Sequence, residues 1–296
     1  MRVRTLAAVL LTSALALAAC GKEGSPTDQA APAGLFEVAK DVKVEGSPTF
    51  EKVKARGNLV IGVKEDQPGL GYKDPTTNKY SGFDIDIARL ISAKLGFDPE
   101  KIQFKTVQSA AREQALINGD VDYYVGTYTI NAGRKEKVSF AGPYFVAGQD
   151  LLIKADNTTI TGKDTLKGKK VCSVTGSTPA KRIKDEGLTE AANVIEFQGY
   201  SQCVTKLLEG EVDAVTTDDA ILKGYAAAEE GKLKVVGKTF SSEPYGIGLP
   251  KEDKALRDKV NDILQASLDD GTWQKIYEGT LGKSGSPAEK PKIDRY

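Results

Sequence analysis

The sequence predicts an α/β fold of two similar lobes, each a mostly parallel sheet flanked by helices. Three observations carry that expectation. Strand-like apolar runs alternate with helical periodicities from Phe50 to Gly282. A seven-residue phrase recurs, Leu116-Ile117-Asn118-Gly119-Asp120-Val121-Asp122 being echoed by Leu207-Leu208-Glu209-Gly210-Glu211-Val212-Asp213. Each copy reads as a helix end, a glycine stop and a strand start. Each strand then finishes in polar residues: Thr127 and Thr129 in the first copy, Thr216, Thr217 and Asp218 in the second.

The elements follow in order. Arg2 and Arg4 precede an apolar run from Leu6 to Ala19, a pattern expected of a secretory signal peptide over 1–19. A run of fourteen residues is too short for a membrane-spanning helix. Residues 20–49, rich in Gly, Ser, Pro and Ala, read as a flexible tether with a reach of about 30 Å. Lobe 1 is expected over 50–147 and 247–283. Its strands are Asn58–Val63, Ile102–Val107 and 121–126; its helices are 83–95, stopped by Gly96, and one through Ile117 capped by Ser109. Lobe 2 is expected over 148–246, with strands 169–174, 193–197 and 213–217 and helices 178–186, 200–208 and 219–229. Tyr245–Leu249 reads as a strand returning to lobe 1. Helices near 252–269 and 272–281, with Trp273 and Tyr277 as packing residues, close it, and 284–296 reads as a polar tail. Two crossings between lobes make a hinge.

Composition removes several function classes. The formal net charge is zero, so neither nucleic acid nor an acidic membrane surface is implied as a partner. Histidine is absent, which excludes Ser-His and Cys-His catalysis and His-ligated metal sites. No cofactor or metal is expected. Leu17-Ala18-Ala19-Cys20 resembles a bacterial lipobox in which Cys20 is lipidated, so the only membrane association expected is through that lipid anchor. Cys172 and Cys203 then remain as one pair, expected to form a disulfide in an exported chain.

The segment 126–134, Gly-Thr-Tyr-Thr-Ile-Asn-Ala-Gly-Arg, places hydroxyls and an arginine just past a strand, where open α/β sheets bind ligands. Hydroxyls, backbone N–H groups and a guanidinium in one turn suit a carboxylate. Thr175-Gly176-Ser177-Thr178-Pro179 stands between a strand and a helix begun by Pro179, and can meet an anion or simply cap that helix. Thr217 and Asp218 end the matching strand of the second lobe.

With Gly82-Phe83-Asp84-Ile85-Asp86, Asn118-Gly119-Asp120-Val121-Asp122, Thr127-Tyr128-Thr129-Ile130, Arg134-Lys135 and Tyr245-Gly246-Ile247 in this order, the chain resembles family 3 extracellular solute-binding proteins. These are amino-acid receptors of ABC importers with a type II periplasmic-binding-protein fold, and the likeness is greatest to glutamate-binding lipoproteins. One departure is Gly133, where the family often carries an acidic residue before the arginine. The resemblance implies that Arg134 grips an α-carboxylate with Thr129 and Thr127, and that Asp218 meets the α-ammonium while Asp219 caps the next helix. Lys64 and Arg112 match positions that are basic in dicarboxylate-binding members, so an acidic amino acid, glutamate or aspartate, is the implied ligand. Tyr72 would stack on it. The implied partners are a permease and its ATPase, and the implied state is a monomer held outside the bacterial cell membrane. Alternatives are a receptor for glutamine or another polar amino acid, a dehydratase on the same scaffold, and a sensory module.

Overall fold

The computed structural model describes residues 35–284 and 289–296. Each lobe is centred on a five-stranded sheet, and the two sheets follow one plan. Across lobe 1 the order is Gln103–Thr106, Val60–Val63, Tyr123–Tyr124, Glu243–Leu249, Ser139–Ala147. The first three strands are parallel, and Glu243–Leu249 runs antiparallel to both its neighbours. Across lobe 2 the order is Val194–Phe197, Val171–Val174, Ala214–Asp218, Gln149–Lys154, Leu233–Val235. Again three strands are parallel, and Gln149–Lys154 is antiparallel to both its neighbours. The repeated phrase thus occupies equivalent places: helices Arg112–Ile117 and Tyr200–Glu209 each lead into the third parallel strand. The fold is the type II periplasmic-binding-protein architecture.

Details differ from the sequence expectation where side chains compete for backbone groups. The strand expected over 121–126 pairs only at Tyr123–Tyr124, because the Asp122 carboxylate accepts the Val60 N–H at 2.7 Å and binds Arg56. Ser109 does not cap the following helix. It opens a 3₁₀ turn, Ser109–Ala111, and its hydroxyl accepts from Lys64 instead. The crossings run through Gly148 and just before Glu243: Phe240 still donates to Gln149 in lobe 2, whereas Glu243 pairs with Ala147 in lobe 1. Lobe 2, expected to reach residue 246, therefore gives way to lobe 1 at Glu243.

The expected signal peptide and Cys20 lie outside the described residues. Part of the expected tether does not, and it is folded. Leu35, Phe36 and Val42 pack on the main core, the Ala39 N–H donates to Ala93 O, and Ser47 caps helix Pro48–Arg56 through the Phe50 N–H. Apolar residues without helical or strand period gave no signal of this docking. The tail also docks: Asp294 N–H donates to Gly142 O at 2.8 Å, Phe140 N–H donates to the Tyr296 hydroxyl at 2.8 Å, and Pro291 is buried.

Helix Phe83–Lys94 is anchored by aromatic packing. The Phe83 ring lies 5.8–6.1 Å from those of Tyr144, Phe145, Trp273 and Tyr277. Trp273 and Tyr277, on the helix Thr272–Gly279, stack on each other as packing residues. Among the described residues no helix is long and apolar enough to cross a membrane.

A Cys172–Cys203 disulfide ties strand Val171–Val174 to helix Tyr200–Glu209 across 31 positions. Loop-closure entropy sets its contribution at about 3–4 kcal/mol. Reduction is expected to lower the unfolding free energy measured in urea by about that amount; equal stability with and without reductant would contradict it.

Candidate functional site

The polar strand ends of the two lobes face each other across the cleft. Ser109, Arg112 and Thr127 of lobe 1 enclose a small cavity with Ser177, Thr178, Tyr200 and Asp218 of lobe 2, and Pro179 and Ile221 supply its apolar wall.

Local structure explains each placement. Thr127 takes a left-handed backbone conformation with φ 45°, unusual for a β-branched residue. Its N–H is held by the Asp84 carboxylate at 3.1 Å and its hydroxyl donates to Gln67 Oε1 at 3.1 Å. Asp84 is fully buried at the start of helix Phe83–Lys94 and also accepts the Tyr144 hydroxyl at 2.7 Å. Burial raises its pKa to about 7, against the pull of those two donors. Asn131 caps the short helix Ala132–Lys135 by accepting the Arg134 N–H, which turns the Arg134 side chain back toward the strand end.

The two guanidiniums share one platform and one acceptor. Arg112 and Arg134 lie over the Tyr128 ring, with Cζ 4.3 and 4.8 Å from its centroid. Arg112 donates to Ser109 O at 3.0 Å and Thr127 O at 3.3 Å, and Arg134 donates to Thr129 O at 2.7 Å. Both also reach Gly176 O in the other lobe, at 3.3 and 3.2 Å. Glu113 lies 3.4 Å from Arg134 Nε, a partial counter-charge. Burial first, and the Arg112 charge second, lower the Arg134 pKa to about 10.

Lys64 is 4% exposed and donates to Ser109 Oγ at 2.8 Å. Burial and then Arg112 depress its pKa to about 7, with Asp66 opposing. It does not line the inner cavity. Ser109 stands between, and Lys64 lines a larger pocket at the cleft mouth with Asp66, Thr106, Gln108, Gln198 and Gly199.

Asp218, 3% exposed, ends strand Ala214–Asp218. Its Oδ2 accepts the Tyr245 hydroxyl at 2.7 Å, while Oδ1 is buried with no hydrogen-bond partner among the described residues. Burial, then the nearby Glu243 carboxylate, raises its pKa to about 7. Asp219, expected to cap the next helix, instead accepts the Gly148 N–H at 3.2 Å and pairs with Lys223, tying that helix to the lobe crossing.

The sequence-predicted residues therefore divide. Arg112, Thr127, Ser177, Thr178 and Asp218 meet in one cavity. Thr129 and Arg134 adjoin it: Thr178 Oγ1 donates to Thr129 Oγ1 at 3.2 Å across the cleft. Ser177 Oγ caps helix Thr178–Asp185 through the Ala180 N–H. Tyr72, Thr175 and Thr217 do not line it. Tyr72 is paired with Asp66 and Ser81 in a small three-stranded sheet of Asp66–Gln67, Gly71–Lys73 and Tyr80–Ser81, the Thr175 N–H goes to Phe197 O, and Thr217 is fully buried in its strand. Sequence reasoning gave no role to Asp84, Tyr128, Tyr200 or Tyr245. Asp84, Tyr128 and Tyr245 lie inside motifs visible in the sequence; Tyr200 had no signal beyond its helix start.

The model of the bacterial extracellular solute-binding proteins, family 3, matches residues 59–283. A glutamine-binding protein of Geobacillus stearothermophilus is 43% identical over 250 residues, covering 84% of this chain and 92% of its own. The glutamate-binding protein GluB of Corynebacterium efficiens is 40% identical over 256 residues, 83% of this chain and 86% of its own. An ancestral arginine-binding protein bound to glutamine superimposes with a TM-score of 0.69 at 38% identity, over 75% of this chain and 97% of that one. With the two-lobed fold, the cleft between its strand ends and this match over most of its length, the chain belongs to family 3 of the bacterial extracellular solute-binding proteins.

Proposed function

We propose that this protein is an extracytoplasmic lipoprotein, anchored through Cys20, that binds an acidic amino acid in the cleft and delivers it as a monomer to an ABC import permease with its ATPase. The observation that carries the binding role is the buried Oδ1 of Asp218, without a hydrogen-bond partner among the described residues, in a cavity shared with Arg112. An isolated buried carboxylate is costly. An α-ammonium at Asp218 relieves that cost, and an α-carboxylate near Arg134 and Arg112 completes a zwitterion site. The third cation, Lys64, gives the charge excess that favours a second carboxylate, glutamate or aspartate. The groups bind and orient; Asp218 acts as an ammonium partner, not as a base in turnover.

Glutamine is the second reading, and one observation favours it. Lys64 sits behind Ser109, with its pKa lowered to about 7, so an amide need not face a full buried charge.

A calorimetric panel of glutamate, aspartate, glutamine and asparagine separates the two. Glutamate is expected to bind most tightly; tighter glutamine binding would overturn the acidic assignment. Arg134→Ala is expected to abolish binding, since losing one partner of a buried ion pair costs about 2–5 kcal/mol. Glutamate affinity retained in that variant would remove the clamp role. Arg112→Ala is expected to weaken glutamate more than glutamine.

The pH dependence of selectivity reports on Lys64. A ligand side-chain carboxylate raises the lowered pKa of Lys64, so glutamate takes up a proton there and its affinity falls as pH rises above about 7. The α-ammonium lowers the raised pKa of Asp218, so either ligand releases a proton there and gains affinity as pH rises toward about 7. The Asp218 effect cancels in the ratio. The glutamate-to-glutamine affinity ratio is thus expected to fall between about pH 7 and about pH 9, and to become flat in Lys64→Met. A flat ratio in the unmodified protein would exclude Lys64 from selectivity.

A further inference from the structure

We propose that Asp66 is a closure latch: from lobe 1 it supplies the N-terminal cap that the lobe-2 helix Tyr200–Glu209 cannot supply for itself. That helix begins after Gly199, a residue with no side chain to accept an N–H. The Asp66 Oδ2 fills the role, accepting from the Ser201 N–H at 3.1 Å and the Ser201 hydroxyl at 3.3 Å. The other half of the cap is local, since Gln202 Oε1 takes the Gly199 N–H at 3.1 Å. A carboxylate there also faces the positive end of the helix dipole.

The glycine is explained by this contact. Its φ of −132° and ψ of 151° are open to any residue, so conformation does not require it. Space does: a Cβ on Gly199 would lie 2.6 Å from Asp66 Oδ2. The same lobe-1 segment meets a second lobe-2 helix, Asp219–Ala228. There the Tyr225 hydroxyl donates to the Asp66 carbonyl, and a Cβ on Gly224 would lie 2.2 Å from Pro68 O. One helix carries the Tyr200 wall of the cavity, and the other starts directly after Asp218.

All these contacts join one lobe to the other, so they break when the lobes part. Asp66 therefore stabilises the closed form alone and shifts the open–closed balance toward it, which raises the affinity of any ligand enclosed by closure. The latch rests on the cleft as the binding site and is indifferent to which amino acid occupies it.

The test uses the full chain, with glutamate and glutamine both titrated and the tighter of the two followed by calorimetry and stopped-flow dissociation. Asp66→Ala is expected to weaken binding about three- to thirty-fold, the range of a lost N-cap, mainly through faster dissociation. Asp66→Asn, a residue that caps about as well, is expected to retain affinity within about threefold. Gly199→Ala is expected to weaken binding in the unmodified protein and to have no further effect in Asp66→Ala, where the clashing carboxylate is gone. The latch is overturned if Asp66→Ala binds as tightly as the unmodified protein. It is equally overturned if Asp66→Asn is as weak as Asp66→Ala, or if Gly199→Ala costs the same with and without Asp66. A preference for glutamine over glutamate would change the proposed ligand and leave each of these outcomes decisive for the latch.

Discussion

Three cations are held together in a region nearly closed to water, and the architecture around them follows from the cost of doing so. Like charges this close repel strongly once solvent is removed. Tyr128 presents its ring to both guanidiniums, and carbonyl oxygens of Ser109, Thr127, Thr129 and Gly176 take their N–H groups. Backbone carbonyls offer partial negative charge, and the carboxylate beside Arg134, Glu113, stands 3.4 Å from its Nε and leaves the other guanidinium nitrogens to carbonyls. The arrangement therefore stays hungry for anions while remaining hydrogen-bonded. Lys64, with a hydroxyl as its hydrogen-bond acceptor, shows what happens with less support: its proton is the one weakened to near neutrality.

The opposite lobe has the mirror problem, and its solution is less complete. Asp218 receives one hydroxyl, from Tyr245, a residue on the strand that returns to lobe 1. The acceptor for ammonium is thus oriented by the other lobe. Both lobes contribute to each half of the site, the arginines reaching Gly176 and the carboxylate reached by Tyr245. The matching sheet plans make this possible, because they bring equivalent strand ends to the same gap.

Much of this was legible in the sequence, and the misses have physical causes. Strand ends with hydroxyls and charges pointed to Thr127, Arg134 and Asp218, whereas Arg112, at a helix start, came only from the family resemblance. The repeated Gly-acid-Val-Asp phrase carried the two-lobe plan. Tyr128 and Tyr245 had no assigned role although they lie in visible motifs, since a tyrosine looks like core until its ring or hydroxyl is seen against a partner. The family resemblance implies Lys64 in the ligand shell, yet one serine hydroxyl, invisible in a linear pattern, stands between. Residues 35–49 failed differently. Chain that docks along a surface without regular hydrogen bonding has no period, so its apolar residues read as incidental.

The docked residues 289–296 have a consequence of another kind. They lie along Ser139–Ala147, the outermost strand of the lobe-1 sheet, and occupy its Gly142 carbonyl and Phe140 amide. A bare outer strand is a template on which a second molecule can add a strand of its own. Here two groups of that template, the Phe140 amide and the Gly142 carbonyl, are already taken by the chain itself. A strand from another copy would first have to displace these eight residues there, so a segment remote from the cleft raises the cost of growing a shared sheet.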